Sequence, residues 1–171
     1  MVGRTQSELI GLSATVAVAL LEKGDVSPLE LVEAADARIR EVEPSLNALP
    51  TTCFERARGH AEALMRGERS EARGEPGWLG GLPVAIKDLT EVAGVRTTYG
   101  SPIYRDYVPE VSHPVVKRIE RLGGIVIAKS NTPEFGAGGS TFNEVFGRTR
   151  NPWNTALTPG GSTGGGAAAL A

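Results

Sequence analysis

The sequence predicts an α/β protein: a helical N-terminal lead-in, then part of a mixed, partly parallel β-sheet flanked by helices. Three observations carry that prediction. Up to about Arg69, apolar residues recur at helical spacing, as at Leu29, Val32, Ala35, Ile39 and Val42. Two short apolar runs, Val84-Ala85-Ile86 and Ile125-Val126-Ile127-Ala128, each follow a glycine pair and read as buried strands. A helical segment lies between them, and strand, helix, strand is the order that builds a parallel pair.

Taken in order, Ser7-Glu8-Leu9-Ile10 opens toward one helical run ending at Lys23-Gly24, where glycine supplies the stop. Ser27-Pro28-Leu29-Glu30 is a start signal: Ser27 caps, Pro28 suits the first helical position, and Glu30 completes a capping box. That helix is expected to stop before Pro44, with its apolar stripe in the core. Asn47 to Thr52 reads as a short extended stretch, and Glu55 to Arg66 as a helix of alanine and mixed charge. Gly67 to Gly77 is polar and punctuated by Gly and Pro, hence a surface loop. A loop with Thr97, Thr98 and Tyr99 follows the first strand, and a helix from Ser112 or His113 through Leu122 precedes the second. From Ser130 to Thr158 the chain reads mostly as loop.

Composition narrows the function classes. The 171 residues suffice for one domain with a core, expected to comprise a helical part (1–69) and an α/β part (78–171). A net charge of -2, with both signs interspersed, gives no reason to expect a nucleic-acid or membrane partner. Cys53 is the one cysteine, which excludes an internal disulfide or a multi-cysteine metal site, and it reads as a small buried residue. His60 and His113 are too far apart for a helical metal pair and read as surface or helix-end residues. No secretory signal opens the chain, and the apolar run from Ala14 to Leu21 is far short of a bilayer span, so a cytoplasmic location is expected.

Chemistry concentrates in two places. Thr158-Pro159-Gly160-Gly161-Ser162-Thr163-Gly164-Gly165-Gly166 is a glycine loop feeding an alanine run, which reads as a buried helix from Gly166 onward. Such a loop leaves backbone N–H groups available to negative charge, but a phosphate loop would require a lysine at its end, and none lies between Ser130 and Ala171. Lys87 ends the first apolar run. Its stem could lie on apolar surface with the ammonium in water, or its burial could depress its pKa and make it a base. Asp88 beside it faces the other way in a strand and need not pair with it.

In this order, the pieces resemble the amidase signature family along nearly the whole chain. The resemblance rests on Ser27-Pro28-Leu29-Glu30-Leu31-Val32, Leu82-Pro83-Val84-Ala85-Ile86-Lys87-Asp88, Ala128-Lys129-Ser130-Asn131-Thr132-Pro133-Glu134-Phe135 and Phe146-Gly147-Arg148-Thr149-Arg150-Asn151-Pro152-Trp153, leading into Pro159-Gly160-Gly161-Ser162-Thr163-Gly164-Gly165. It implies an incomplete amidase signature fold and hydrolysis of an amide carbon–nitrogen bond by a Ser–cis-Ser–Lys arrangement. Lys87 would be the base and Ser162 the bridging serine on a cis peptide bond. Ser140, Thr141, Gly161 and Thr163 would lie toward substrate. No cofactor or metal is implied, and the partners would be a small-molecule amide and a second copy or a C-terminal half.

Two departures qualify the resemblance. Thr163 and Gly166 stand where serines are common, and only Thr163 keeps a hydroxyl. The family's nucleophilic serine belongs to a later Gly-Gly-Ser segment, which is expected beyond Ala171, so the 171 residues alone are expected to be inactive and to associate through unmatched apolar surface. Two alternatives remain: a glutaminase like the A subunit of glutamyl-tRNA amidotransferase, and a non-catalytic remnant of the scaffold. Pro133, where such glutaminases carry aspartate, favours the stand-alone amidase over the first.

Overall fold

The structure is a computed structural model that describes residues 5–69 and 71–171. Ser70, inside the predicted surface loop, lies outside the described residues. Helix α1 (Gln6–Ile10) opens on a capping box in which Thr5 N donates to the Glu8 carboxylate at 2.7 Å. The single N-terminal helix expected from the sequence is broken after it. Gly11 ends α1, and Ser13 Oγ accepts from Val16 N to begin α2 (Ala14–Lys23). Ser13 takes an extended ψ of 152° to make that bond, which a continuous helix could not accommodate. Gly24, at φ 74°, closes α2 as expected.

Helix α3 (Pro28–Leu46) starts on the predicted box: the Glu30 carboxylate accepts from Ser27 N at 2.8 Å, and Ser27 Oγ accepts from Glu30 N at 3.2 Å. It does not stop before Pro44. Proline lacks the N–H that would bond one turn back, but Pro44 and Arg40 are both exposed, so water can serve the orphaned carbonyl. The helix ends instead at Asn47, which adopts φ 51° and still donates from its N–H to Glu43 O at 2.9 Å. Of the predicted stripe, Val32 and Ala35 are buried, while Leu29, Ile39 and Val42 are half-buried.

The strands and remaining helices follow as β1 (Thr51–Thr52), α4 (Phe54–Met65), β2 (Pro83–Lys87), α5 (Pro114–Arg121), β3 (Ile125–Ser130), β4 (Phe142–Asn143), β5 (Gly147–Arg148) and α6 (Gly164–Leu170). The larger sheet has the order β1-β3-β2. β1 is antiparallel to β3, with Thr51 opposite Lys129. On the other side of β3, Ile125 N donates to Leu82 O and Asp88 N to Ser130 O, partners that climb together in number, which is the parallel sense. The sheet is therefore mixed. Central β3 is buried at all six positions. β2 was expected to be buried throughout, but only Ile86 is, because β2 lies at the sheet edge. A small hairpin, β4 with β5, interrupts the predicted loop. α6 begins two residues earlier than expected and is buried only along Gly164, Gly165 and Ala168.

The chain divides into two compact units. The first comprises Met1–Arg40, Cys53–Val84 and Lys117–Ile127. Its apolar core is Leu9, Ala17, Leu21, Val26, Leu31 and Ala34. Beside it, Arg58 joins α4 to α3 by donating to Glu33 and Asp36, both at 2.6 Å, and Arg40 donates to Asp36 at 2.7 Å. The Arg40 hydrogen bond, with help from Arg58, holds the Asp36 carboxyl below its usual range against the opposing effect of burial. Trp78 closes the unit: Gly123, at φ 82°, brings backbone so near that a β-carbon would fall 2.6 Å from the indole. Trp78 is 9% exposed, whereas Trp153, in the second unit, is 84% exposed. The second unit comprises Glu41–Thr52, Ala85–Val116 and Ala128–Ala171.

The two histidines part company. His113 is exposed at the start of α5, where Nδ1 accepts from Val115 N at 3.2 Å. His60, expected at a surface or helix end, is instead partly buried within α4, with Nδ1 3.8 Å from Glu120. Burial first, then the nearby Arg56 and Arg69, lower its pKa from 6.5 to about 4, and Glu120 offsets only part of this. Cys53, expected to be buried, is half-buried and donates from Sγ to Val126 O at 3.3 Å. Because the unfolded chain takes up the His60 proton at a higher pH than the folded chain, folding stability falls as pH drops from 6.5 toward about 4 and is unaffected by this group above that window. In urea unfolding at pH 7 and pH 4.5, His60→Gln should remove part of that fall, on the order of 2 kcal/mol. An unchanged pH dependence in the variant would count against this account.

Candidate active site

Lys87 closes β2, and its Nζ donates to Ser162 Oγ at 2.8 Å and to Thr163 Oγ1 at 3.0 Å. These contacts join residues 75 and 76 positions apart, within the second unit. Burial pushes the Lys87 amine below the usual lysine range. The Gly161–Ser162 peptide bond is cis. Gly161 lies against the chain at 138–140, where a β-carbon would sit 2.9 Å from both Gly138 O and Ser140 N. Below the loop, Gly165 packs on backbone, with Asn131 O at 2.6 Å and Ala48 O at 2.7 Å from the place a β-carbon would occupy. No side chain larger than hydrogen fits at either position.

Asp88 turns away from Lys87, as strand alternation requires, and meets Lys129 on β3 at 3.2 Å. Both side chains are sealed from solvent, at 1% and 0% exposure. Their remaining capacity is met. Asp88 accepts from Thr98 N and Thr98 Oγ1, while Lys129 donates to Thr90 O and Thr97 Oγ1, each at 2.7 Å. Asp88 O accepts from Tyr99 N, and Thr90 N donates to Lys87 O. The loop that follows Lys87 is thereby folded around one buried ion pair. Sequence reading missed this pair. The available signal was a lysine directly following the apolar run Ile125-Val126-Ile127-Ala128, since a buried ammonium requires a counter-charge.

A second buried polar network supports the loop from beneath. Asn131 Oδ1 accepts from Asn143 Nδ2 at 2.7 Å, and Asn131 Nδ2 donates to Thr149 Oγ1 at 3.0 Å. Thr132 Oγ1 reaches Ser162 O at 3.4 Å. Of the six residues singled out in the sequence, the structure gathers Lys87, Ser162 and Thr163 into one contact, with Gly161 adjacent. Ser140 and Thr141 do not touch Lys87. They line a cavity of about 470 Å³ together with Asn143, Arg148, Leu157 and Thr158. Among the described residues no cluster of His, Cys, Asp and Glu is suited to hold a metal ion, and no helix is long and apolar enough to cross a membrane.

The Amidase family profile matches residues 30–171. The chain belongs to the amidase family. It is 45% identical over 152 residues to the A subunit of the glutamyl-tRNA(Gln) amidotransferase of Synechococcus sp. (strain CC9605), covering 88% of this chain and 30% of that protein. Among solved structures, a 6-aminohexanoate cyclic dimer hydrolase is 34% identical with a TM-score of 0.79, covering 95% of this chain and 33% of that one. The A subunit of the glutamyl-tRNA(Gln) amidotransferase of Thermotoga maritima is 30% identical with a TM-score of 0.66, covering 98% of this chain and 31% of that one. The chain thus spans about 30% of the length of the curated relative it matches. As an amidase-family chain it has the α/β fold expected from the sequence, with its parallel β2–β3 pair and antiparallel β1.

Because Asp88 and Lys129 are both wholly buried, removing one leaves the other charged and unpaired. Asp88→Ala or Lys129→Met should each lower unfolding free energy by about 3–5 kcal/mol in urea titrations. A loss below about 1 kcal/mol in both would mean that the pair is solvated in solution.

Proposed function

We propose that this chain supplies the general base and the relay serine of an amide hydrolase, acting on the side-chain amide of glutamine in the manner of the A subunit of a glutamyl-tRNA(Gln) amidotransferase. The observation that carries the hydrolase reading is the 2.8 Å contact between Lys87 Nζ and Ser162 Oγ at a partly desolvated lysine. Burial disfavours the charged form of this amine, and in its neutral form it accepts the Ser162 proton across that same contact. Ser162, at once donor and acceptor, takes the proton of an attacking serine as it gives up its own. Attack on the amide carbon forms the C–O bond. Collapse breaks the C–N bond, and the proton returns through Ser162 to the leaving nitrogen, which departs as ammonia. Water then cleaves the acyl group by the same relay in reverse order.

The choice of glutamine rests on whole-chain similarity to these amidotransferase A subunits, at 37–45% identity. It outweighs Pro133, the single position that favoured a stand-alone amidase. That second reading keeps one observation in its favour, the higher TM-score to the cyclic dimer hydrolase than to the Thermotoga protein. We further infer that the ligand of this site is a small-molecule amide.

The test is ammonia release from glutamine, set beside hydrolysis of an aryl amide, by the protein that carries this chain. Lys87→Ala and Ser162→Ala should each lower kcat by roughly 10²–10⁴-fold. Since the neutral amine is the base, kcat/KM should rise with pH to a plateau whose midpoint lies below the ordinary lysine value of 10.5. Cleavage of the aryl amide without glutamine turnover would select the stand-alone amidase. Full activity in both variants would end the hydrolase assignment of these residues.

A further inference from the structure

The first turn of a helix presents N–H groups without partners, and a threonine at the N-cap ordinarily meets one with its own hydroxyl. Thr163 is the N-cap of α6 and makes no such bond. Its Oγ1 accepts from Lys87 Nζ instead, at 3.0 Å. The capping bond is made from elsewhere: Gly164 N donates to Thr141 Oγ1 at 3.0 Å, across 23 residues of sequence. The same hydroxyl donates to Gly160 O at 2.8 Å. Gly160 and Gly164 lie two residues before and two residues after Ser162, so one side-chain oxygen spans the serine loop.

Thr141 is itself firmly placed. It is 1% exposed, and its carbonyl accepts from Thr149 N at 3.0 Å, just beyond the hairpin in which Phe142 pairs with Arg148. With one hydrogen donated and one accepted, its hydroxyl has no donor left for a ligand. Pro159 Cγ and the Thr141 side chain fill the space beside Gly164, where a β-carbon would sit 2.9 Å from Pro159 Cγ and from Thr141 Cβ and nearer still to Thr141 Oγ1, so the clamp requires glycine there.

Building on the hydrolase reading above, we propose that Thr141 is a positioning residue. It caps α6 in place of Thr163 and fixes the loop on both sides of Ser162, which leaves the Ser162 and Thr163 hydroxyls turned toward Lys87. Thr141 then acts through Ser162 rather than on substrate, although the family resemblance would have set it toward substrate.

The experiment compares Thr141→Val, Thr141→Ser, Lys87→Ala and Ser162→Ala in the protein that carries this chain, with ammonia release from glutamine and aryl amide hydrolysis as readouts. Thr141→Val should lower kcat about 10–100-fold at unchanged KM, as expected when a reacting group is displaced by a fraction of a bond length. Thr141→Ser should restore most of that loss. In the same protein, hydrogen exchange at Gly164 N–H should quicken at least about tenfold in Thr141→Val and stay slow in Thr141→Ser. Should Thr141→Val not fold, Thr141→Ala replaces it in both measurements. Equal impairment in Thr141→Ser and Thr141→Val would assign the effect to packing of the methyl group and overturn the proposal. A raised KM at unchanged kcat would do the same by making Thr141 a substrate contact. If Lys87→Ala and Ser162→Ala abolish activity while Thr141→Val retains it, only this proposal falls. If those two remain fully active, the hydrolase reading falls and takes the proposal with it.

Discussion

The second unit depends on an ion pair that never meets water. Asp88 directly follows β2 and Lys129 lies on the parallel neighbour β3, and neither could be tolerated in that environment without the other. Their coupling does more than neutralise charge. Each spends its remaining hydrogen-bonding capacity on the segment from Thr90 to Thr98, so the chain leaving β2 is tied down within a few residues of Lys87. A flexible lysine at the frayed end of an edge strand would sample many positions. Here the backbone carrying it is anchored by its own neighbour in sequence.

The loop around Ser162 is held on the same logic, by groups that do not belong to it. Thr141 spans it from one side, Thr132 touches its carbonyl from another, and Gly165 lets the backbone of α6 rest directly on Asn131 and Ala48. Glycine is needed there for close approach rather than for a turn. The result is that hydroxyls which would otherwise serve local structure point at an amine. Thr163 shows this most plainly, since an N-cap threonine left to itself would bond its own helix.

What the sequence made legible follows the range of the interactions. The Ser27–Glu30 box, the stop at Gly24 and the two glycine-led strands are local, and each was readable from a handful of adjacent residues. Local reading also failed locally. It ran α1 and α2 together because apolar spacing continues across Gly11–Ser13, although the serine there has a backbone donor to cap. It ended α3 at Pro44 because it could not know that the missing hydrogen bond would fall on the exposed face. The Lys87–Ser162 contact spans too many residues for periodicity to reveal, and only the ordered resemblance to a family brought the two together. Asp88–Lys129 and the clamp from Thr141 had no such guide. Both depend on which strands and loops become neighbours, and that is decided by the fold as a whole.

The two tryptophans carry a practical consequence. Trp78 is wedged against Gly123 in the first unit, and Trp153 stands in solvent in the second. The chain thus contains a shielded fluorophore and an accessible one, one to each unit. Emission from Trp78 will lie to the blue and resist a water-soluble quencher, whereas Trp153 will emit to the red and be quenched freely. Replacing the exposed indole by phenylalanine leaves Trp78 as the one tryptophan, and its signal, excited apart from the tyrosines, belongs to the first unit alone. The loss of structure in the first unit can then be followed by light, without a label.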